Sequence, residues 1–315
     1  DGDWLVKFPG TTRNLQGSVP SYTTAPVSEW LGSHVYAALG IPVHETVLGI
    51  RDGRIVCACR DFTFPDSRLV NFHDLKNSLS DDEPGFTEDA STGSGVVLAD
   101  VRSAIHRIPV LRSIDGVSDR FWDMFVVDAF IRNIERNNTN WGVLRNPRGE
   151  FSLAPVYDNG NSFNNKRTES GIERRLANPD LIRQDALDVR SCYVTDRGKP
   201  IAPLKYLASG QDEECAKALD RFMERYDPRS FHDLLDSIPS MSHGLTVVPD
   251  GFHEYHRRVC DYRYEHAFME AWRELHPTVG FPSSPEASVP EPLPDPDPSV
   301  LPSSSVPTCF DGPGM

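Results

Sequence analysis

A chain of 315 residues with 38% hydrophobic and 25% charged residues has enough material for one large domain or two lobes with cores of their own. Its formal net charge of −14 argues against a general nucleic-acid-binding role, which needs a basic surface to displace counterions from phosphates. No run reaches the about eighteen apolar residues of a membrane span, so no membrane association is expected.

The chain begins at Asp1 with Trp4 to Phe8 already reading as a strand, and with neither an initiator Met nor a signal-peptide pattern. A fragment is therefore expected, with a leading hairpin and its phosphate-covering loop upstream. Val27, Trp30, Leu31, Val35 and Leu39 recur at helical spacing, with Ser28 near the start and Gly40 at the stop, which predicts a helix from Val27 to Leu39. Strands are predicted over Glu45 to Ile50 and Arg54 to Cys59, joined across Arg51-Asp-Gly53, a sequence suited to a hairpin turn. Together these make a small β-rich lobe around one helix, spanning 1–62.

From Asp81 to Gly95 the chain is acidic, rich in Gly and Ser and without periodicity, as in a loop. Helical patterns then follow over Leu98 to Ile108, Val117 to Ile134, Asn178 to Val189, Glu213 to Tyr226, Ser230 to Ser237 and Gly251 to Leu275. Two short strands, Trp141 to Leu144 and Phe151 to Pro155, face each other across Asn146-Pro-Arg-Gly149. The second lobe, 63–276, is expected to be mostly helical with this one hairpin. Over 277–315 repeated prolines interleave with serine and acidic residues, a composition that predicts a disordered tail.

Six cysteines are scattered without paired CxxC units. Cys57 and Cys59 are expected to face opposite sides of their strand and so not to share a metal. All six read as reduced thiols of a cytoplasmic protein. The densest basic cluster, Lys166, Arg167, Arg174 and Arg175, reads as a solvated helix face.

Three elements carry chemistry. Lys7 sits in a strand at the front of the small lobe and Glu29 in the first turn of its helix; alone, one is an edge lysine and the other an acid at the positive end of a helix dipole. As a pair they can present an ammonium to phosphates, because a carboxylate fixes the flexible side chain. The second element is Asn133-Ile-Glu-Arg-Asn-Asn-Thr-Asn-Trp-Gly142. It follows a helix anchored by Phe121, Met124, Phe125, Val127, Ala129 and Phe130, a rigid place from which to hold Glu135 and Asn140. The third is Tyr157-Asp-Asn-Gly160 at the exit of the hairpin, where Asp158 can reach the space of Asn140. A carboxylate and an amide oxygen form a sufficient protein share of a magnesium site.

The stretch Trp122 to Lys166, with Pro155-Val-Tyr-Asp158, resembles the catalytic core of the HipA-like kinases. These are a bacterial branch of the protein-kinase-like superfamily that includes kinases of toxin–antitoxin systems. The order of the earlier elements, from Lys7-Phe-Pro9 through Ser28-Glu29 to Leu39-Gly-Ile-Pro-Val43, is similar too. The resemblance implies an α+β, bilobal protein-kinase-like fold, with a β-rich N-lobe incomplete at its start and a larger helical C-lobe. It implies a serine/threonine kinase using ATP and Mg2+ on a protein substrate, with an antitoxin-like partner.

By the same resemblance Asn140 and Asp158 hold metal, Lys7 and Glu29 serve the phosphates and Glu135 orients the acceptor hydroxyl; Arg136, from its place beside Glu135, is expected to steady the transferring phosphate. Cys59, Asp61 and Phe62 fall at the interlobe hinge that meets adenine. Glu135 departs from the pattern, which has Asp there; the extra methylene moves the carboxylate by more than an ångström, a scale that costs about a hundredfold in rate. That departure raises the alternative of a pseudokinase that binds nucleotide or a partner. A second alternative, a lipid or small-molecule kinase, shares the loop chemistry.

Overall fold

The computed structural model describes residues 2–11, 23–80 and 95–277. The predicted loop over 81–95, apart from Gly95, and the predicted tail over 277–315, apart from Pro277, lie outside them. The front of the molecule is a three-stranded antiparallel sheet in the order β1-β3-β2, built from β1 (Trp4–Lys7), β2 (Thr46–Arg51) and β3 (Arg54–Arg60). Asp52 and Gly53 join β2 to β3 with φ of 52° and 66°, the left-handed pair a tight hairpin demands and Asp-Gly supplies. Helix α1 (Ala25–Ala38) packs on this sheet. It buries Val27, Leu31, Val35 and Tyr36, and also Ser28, Glu29 and Ser33. A helix buried on both its apolar and its polar side is enclosed by two layers, here the sheet and the larger lobe. Gly32 marks the closest approach, since a Cβ there would come within 2.8 Å of the Cβ of Asn159.

Beyond the sheet come β4 (Arg68–Asn71), α2 (Phe72–Ser80), β5 (Val96–Val97), α3 (Leu98–Arg107), α4 (Pro109–Arg112) and α5 (Val117–Ile131). Helix α5 buries eleven of its residues and is the spine of the larger lobe. The hairpin that follows, β6 (Gly142–Arg145) with β7 (Phe151–Leu153), is extended by β4 into a second sheet, β4-β6-β7. Gly142 lies so close to β4 that a Cβ would stand 2.2 Å from the carbonyl oxygen of Val70, so no side chain fits there.

The remaining elements are α6 (Glu169–Leu176), α7 (Pro179–Leu187), β8 (Tyr193–Val194), α8 (Pro203–Ser209), α9 (Glu213–Arg225), α10 (Pro228–Asp236), β9 (Met241–Ser242), β10 (Leu245–Thr246), α11 (Phe252–Arg263) and α12 (Met269–Leu275). The single helix predicted from Gly251 to Leu275 is interrupted by a π-helical turn, Tyr264–Phe268. Next to it, the buried Arg263 donates to the carbonyl oxygens of Ala186 at 2.7 Å, Asp185 at 2.9 Å and Phe130 at 2.5 Å. No helix among the described residues is long and apolar enough to cross a membrane.

One buried group of α11 ties the core to the segment after Asp158. His256 donates from Nε2 to the carbonyl oxygen of Phe163 at 2.8 Å, and its Nδ1 is buried without a partner. Burial first, then the positive charge of Arg263, lowers its pKa from 6.5 to about 3. Below pH 6.5 the unfolded chain takes up a proton that the native imidazole refuses until about pH 3. Stability from this group is therefore present above 6.5 and falls through that window. Acidification to pH 5 should cost wild type about 2 kcal/mol more than a His256→Gln variant. Urea midpoints for both proteins at pH 7 and pH 5 measure this; equal losses would refute it.

Candidate active site

Lys7 ends β1, and its Nζ lies 2.8 Å from Glu29 Oε2 and 2.8 Å from Asp158 Oδ1. Glu29 is fully buried, and its other oxygen accepts from His44 Nε2 at 2.9 Å and from the Asn159 N–H at 3.1 Å. Burial alone would raise the pKa of Glu29. The hydrogen bond from His44 and the charge of Lys7 outweigh it and lower the pKa to about 2. For Lys7, burial works against the ammonium, but the charges of Glu29 and Asp158 prevail and raise its pKa. The lysine thus stays charged and aimed, with one partner deep in the lobe and one at the surface.

His44 was not apparent as a member of this group. Its place depends on the isolated parallel bridge Val43–Val156 and on its own N–H donating to Val156 O at 2.9 Å, a pairing without periodicity. The ligand atoms of Glu29, His44 and Cys59 lie within 4.8 Å of one another, a metal-like trio among the described residues. Both oxygens of Glu29 are already engaged, so the trio reads as a support for Lys7.

After α5 the chain turns through Arg132 in the left-handed region, φ 57°, and enters the loop with Glu135 and Asn140. Asn133 Nδ2 donates to Asp128 Oδ1 at 3.1 Å, and its Oδ1 accepts from the Glu135 N–H at 3.3 Å. The Glu135 carbonyl accepts from the Asn137 N–H at 2.7 Å and from Asn140 Nδ2 at 2.8 Å. That second bond sets the sense of the Asn140 amide. Its Oδ1 keeps only a 3.3 Å contact with Thr139 Oγ1, whose hydroxyl lies nearer Asn137 Oδ1 at 2.6 Å. The Glu135 carboxylate is exposed.

Arg136 corrects the sequence expectation. Its residue is 2% exposed, and its guanidinium donates to Asp128, to the carbonyls of Asn140 and Tyr157, and to Asn159 Oδ1. Every nitrogen has a protein acceptor, so none is left for a phosphate. Its Nη1 alone holds Asn140 O and Tyr157 O, which ties the carbonyl of Asn140 and that of the residue before Asp158 to one atom. Asp158 follows with φ of 60° and a side chain 45% exposed. Asn159 pins the turn to α1 through Ser33 Oγ at 3.0 Å.

At the expected hinge, Cys59 is paired on both sides, with Leu5 and Thr46. The backbone of a middle strand is spent on its neighbours, so Cys59 cannot offer it to a base. The N–H of Asp61 is likewise used, on Asp3 O at 2.8 Å, and its carboxylate caps Thr63 N at 2.8 Å. Phe62 rests against Tyr157 with ring centroids 5.4 Å apart, next to Asp158. Cys57 and Cys59 do not face opposite sides: residues two apart on a strand share a face. Both are buried, and the Cys57 thiol is pushed up by its contact with Cys59 and by burial. Five of the six cysteines, Cys57, Cys59, Cys192, Cys215 and Cys260, are free and buried.

No family model matches the chain. It is 32% identical over 241 residues to the serine/threonine-protein kinase CtkA of Helicobacter pylori, covering 76% of this chain and 71% of that protein. It is similar to the crystal structure of this H. pylori proinflammatory kinase, with a TM-score of 0.74 and 28% identity over 88% of this chain and 92% of that one. A more distant likeness, with a TM-score of 0.47 and 12% identity over 85% of this chain and 60% of that one, is to HipA of Shewanella oneidensis in its complex with HipB and operator DNA. On the CtkA match, and on a mixed fold of small sheets and many helices, the chain belongs to the HipA-like family of serine/threonine protein kinases.

Proposed function

We propose that this kinase transfers the γ-phosphate of ATP, with Mg2+, to a serine or threonine of a protein substrate. The observation that carries the reading is the meeting of Lys7 with both Glu29 and Asp158 at 2.8 Å. A lysine ammonium held between a buried and a partly exposed carboxylate can share charged phosphates and a divalent ion with the outer acid. The donor set fits: Asp158 offers a carboxylate and Asn140 an amide oxygen whose direction the Glu135 carbonyl sets. Bound magnesium would supply neutralisation of the phosphate charge. Lys7 then holds the phosphates, Glu29 holds Lys7, and Glu135 orients the acceptor hydroxyl. Phe62 and the 61–67 linker are the candidates for the adenine side. Five buried, unpaired thiols fit a reducing compartment, and we place the protein in the cytoplasm.

The test is transfer of labelled γ-phosphate to a mixed protein substrate or to the kinase itself, with magnesium and with a chelator. Incorporation that requires magnesium is expected. Equal incorporation in the two conditions, or labelling by γ-phosphate of a lipid fraction alone, would overturn the reading.

Glu135 sets the rate in this scheme. Its backbone is held on both sides, the N–H by Asn133 and the carbonyl by Asn137 and Asn140, so the loop cannot shift to absorb the extra methylene. Glu135→Asp should therefore raise kcat by about tenfold to a hundredfold. A fall in kcat would mean instead that the loop is matched to glutamate. Nucleotide binding without transfer, followed by transfer in the Glu135→Asp variant, is the outcome a pseudokinase would give.

A further inference from the structure

Beside the catalytic loop lies a cavity of about 400 Å³ whose walls include Arg132, Lys166, Arg167, Arg174 and Arg175 and, among the described residues, no acidic one. Lys7, Glu29, Glu135, Asn140 and Asp158 do not line it, so it is separate from the nucleotide and metal positions. Yet it adjoins both loops of the site: Arg132 and Ile134 lead directly into Glu135, and Asn161 follows shortly after Asp158. Five cations gathered on one concavity are unexpected in a chain with a net charge of −14.

The cations are poorly compensated. Asp185 serves both Arg167, at 2.7 Å, and Arg175, and also accepts from the Tyr255 hydroxyl at 2.6 Å. One carboxylate therefore answers two guanidinium groups. Arg167 Nε is buried with no hydrogen-bond partner among the described residues. Among the described residues Arg132 hydrogen-bonds only a carbonyl oxygen, that of Asp188 at 3.3 Å. Its burial, and after that the like charge of Arg167, depress its pKa. Lys166 and Arg174 are exposed at the mouth. A buried donor left without an acceptor costs free energy that a ligand recovers, and clustered guanidinium groups repel until an anion sits among them.

We propose that this cavity docks a compact anion on the protein substrate, foremost a phosphoserine or phosphothreonine near the acceptor residue, so that the kinase prefers substrates already phosphorylated. The inference rests on the reading of Glu135, Asn140 and Asp158 as the transfer site. A phosphoryl group matches the forked donors of Arg132, Arg167 and Arg174, with Lys166 beside them at the mouth, better than a single carboxylate does. The cations converge on one hollow; they do not form the extended track that a nucleic-acid backbone requires.

Binding is measured without nucleotide by fluorescence anisotropy, using serine peptides that carry phosphoserine, glutamate or serine at each position around the acceptor, and a labelled single-stranded oligonucleotide. The phosphoserine peptide should bind at least about tenfold tighter than the serine peptide, inorganic phosphate should compete, and the Lys166→Ala/Arg174→Ala double variant should lose the preference. Both substituted residues are exposed, so the fold tolerates the change. Glutamate equal to serine supports a site for phosphate; glutamate equal to phosphoserine overturns the preference for phosphorylated substrates. Equal binding of all three peptides, a preference that survives the double variant, or tighter binding of the oligonucleotide overturns the proposal. A protein that binds the phosphopeptide but transfers nothing overturns the transfer reading alone; one that transfers without discriminating overturns the docking reading alone.

Discussion

Asp158→Asn is expected to lower kcat by about a thousandfold or more while leaving the protein folded. Asp158 sits in the left-handed region at φ 60°, and asparagine tolerates that backbone better than most residues, so the turn survives. Its side chain is 45% exposed, and a partly exposed ion pair such as that with Lys7 adds about 1 kcal/mol or less to stability. The catalytic loss is larger. A neutral amide in place of the carboxylate removes the charged ligand proposed for the metal, and positioned charge of this kind contributes about 4 kcal/mol to the transition state, equivalent to a thousandfold. Lys7 keeps its bond to the buried Glu29, so phosphate contact persists and nucleotide affinity should fall less than kcat. Labelled transfer, titration of ATP binding and a thermal melt give the three readouts. Transfer within tenfold of wild type would remove Asp158 from the proposed chemistry.

Much of the small lobe was legible because its signals are local. Asp52-Gly53 names its own turn, the spacing of Val27, Leu31 and Val35 names its helix, and the predicted bounds of β2, β3 and α1 fall within a few residues of the observed ones. Strand β4 was not legible. Its four residues carry no alternation strong enough to show, and it is a strand because Arg68 to Asn71 pair with Gly142 to Arg145, seventy-odd positions along the chain. Helices α6 and α8 escaped for a similar reason: each is one or two turns long, and docking on longer elements decides such pieces. The basic cluster within and before α6 reads as a solvated face when only its charges are seen. Burial of Arg175 and the shared Asp185 make it the wall of a cavity.

The site divides along the same line. Lys7 and Glu29 could be paired from sequence, since a strand and the following helix of one small lobe leave few partners for either. His44 could not, because its contact with Glu29 follows from a bridge between Val43 and Val156. Arg136 was visible but misassigned. A cation beside an acid in a polar loop looks available to a phosphate, and only its burial and its four acceptor groups show that the protein itself consumes it.

Arg136→Met is expected to cost about 3–5 kcal/mol of folding stability, because it leaves the Asp128 carboxylate buried without its cationic partner. Tyr36, donating at 2.8 Å, and Asn133, at 3.1 Å, remain, but neither carries charge. Burial by itself lowers the pKa of Arg136; the charge of Asp128 more than offsets this and holds the guanidinium protonated. A second variant separates the two jobs of the residue. In Arg136→Met/Asp128→Asn the orphaned charge is gone, so a urea midpoint should recover most of the stability. Transfer should stay about a hundredfold down, since Asn140 O, Tyr157 O and Asn159 Oδ1 still lack the nitrogen atoms that hold them together. Recovery of both stability and transfer in the double variant would mean that Arg136 acts only through Asp128. Loss of transfer with stability restored would make it the residue that positions the two loops of the site.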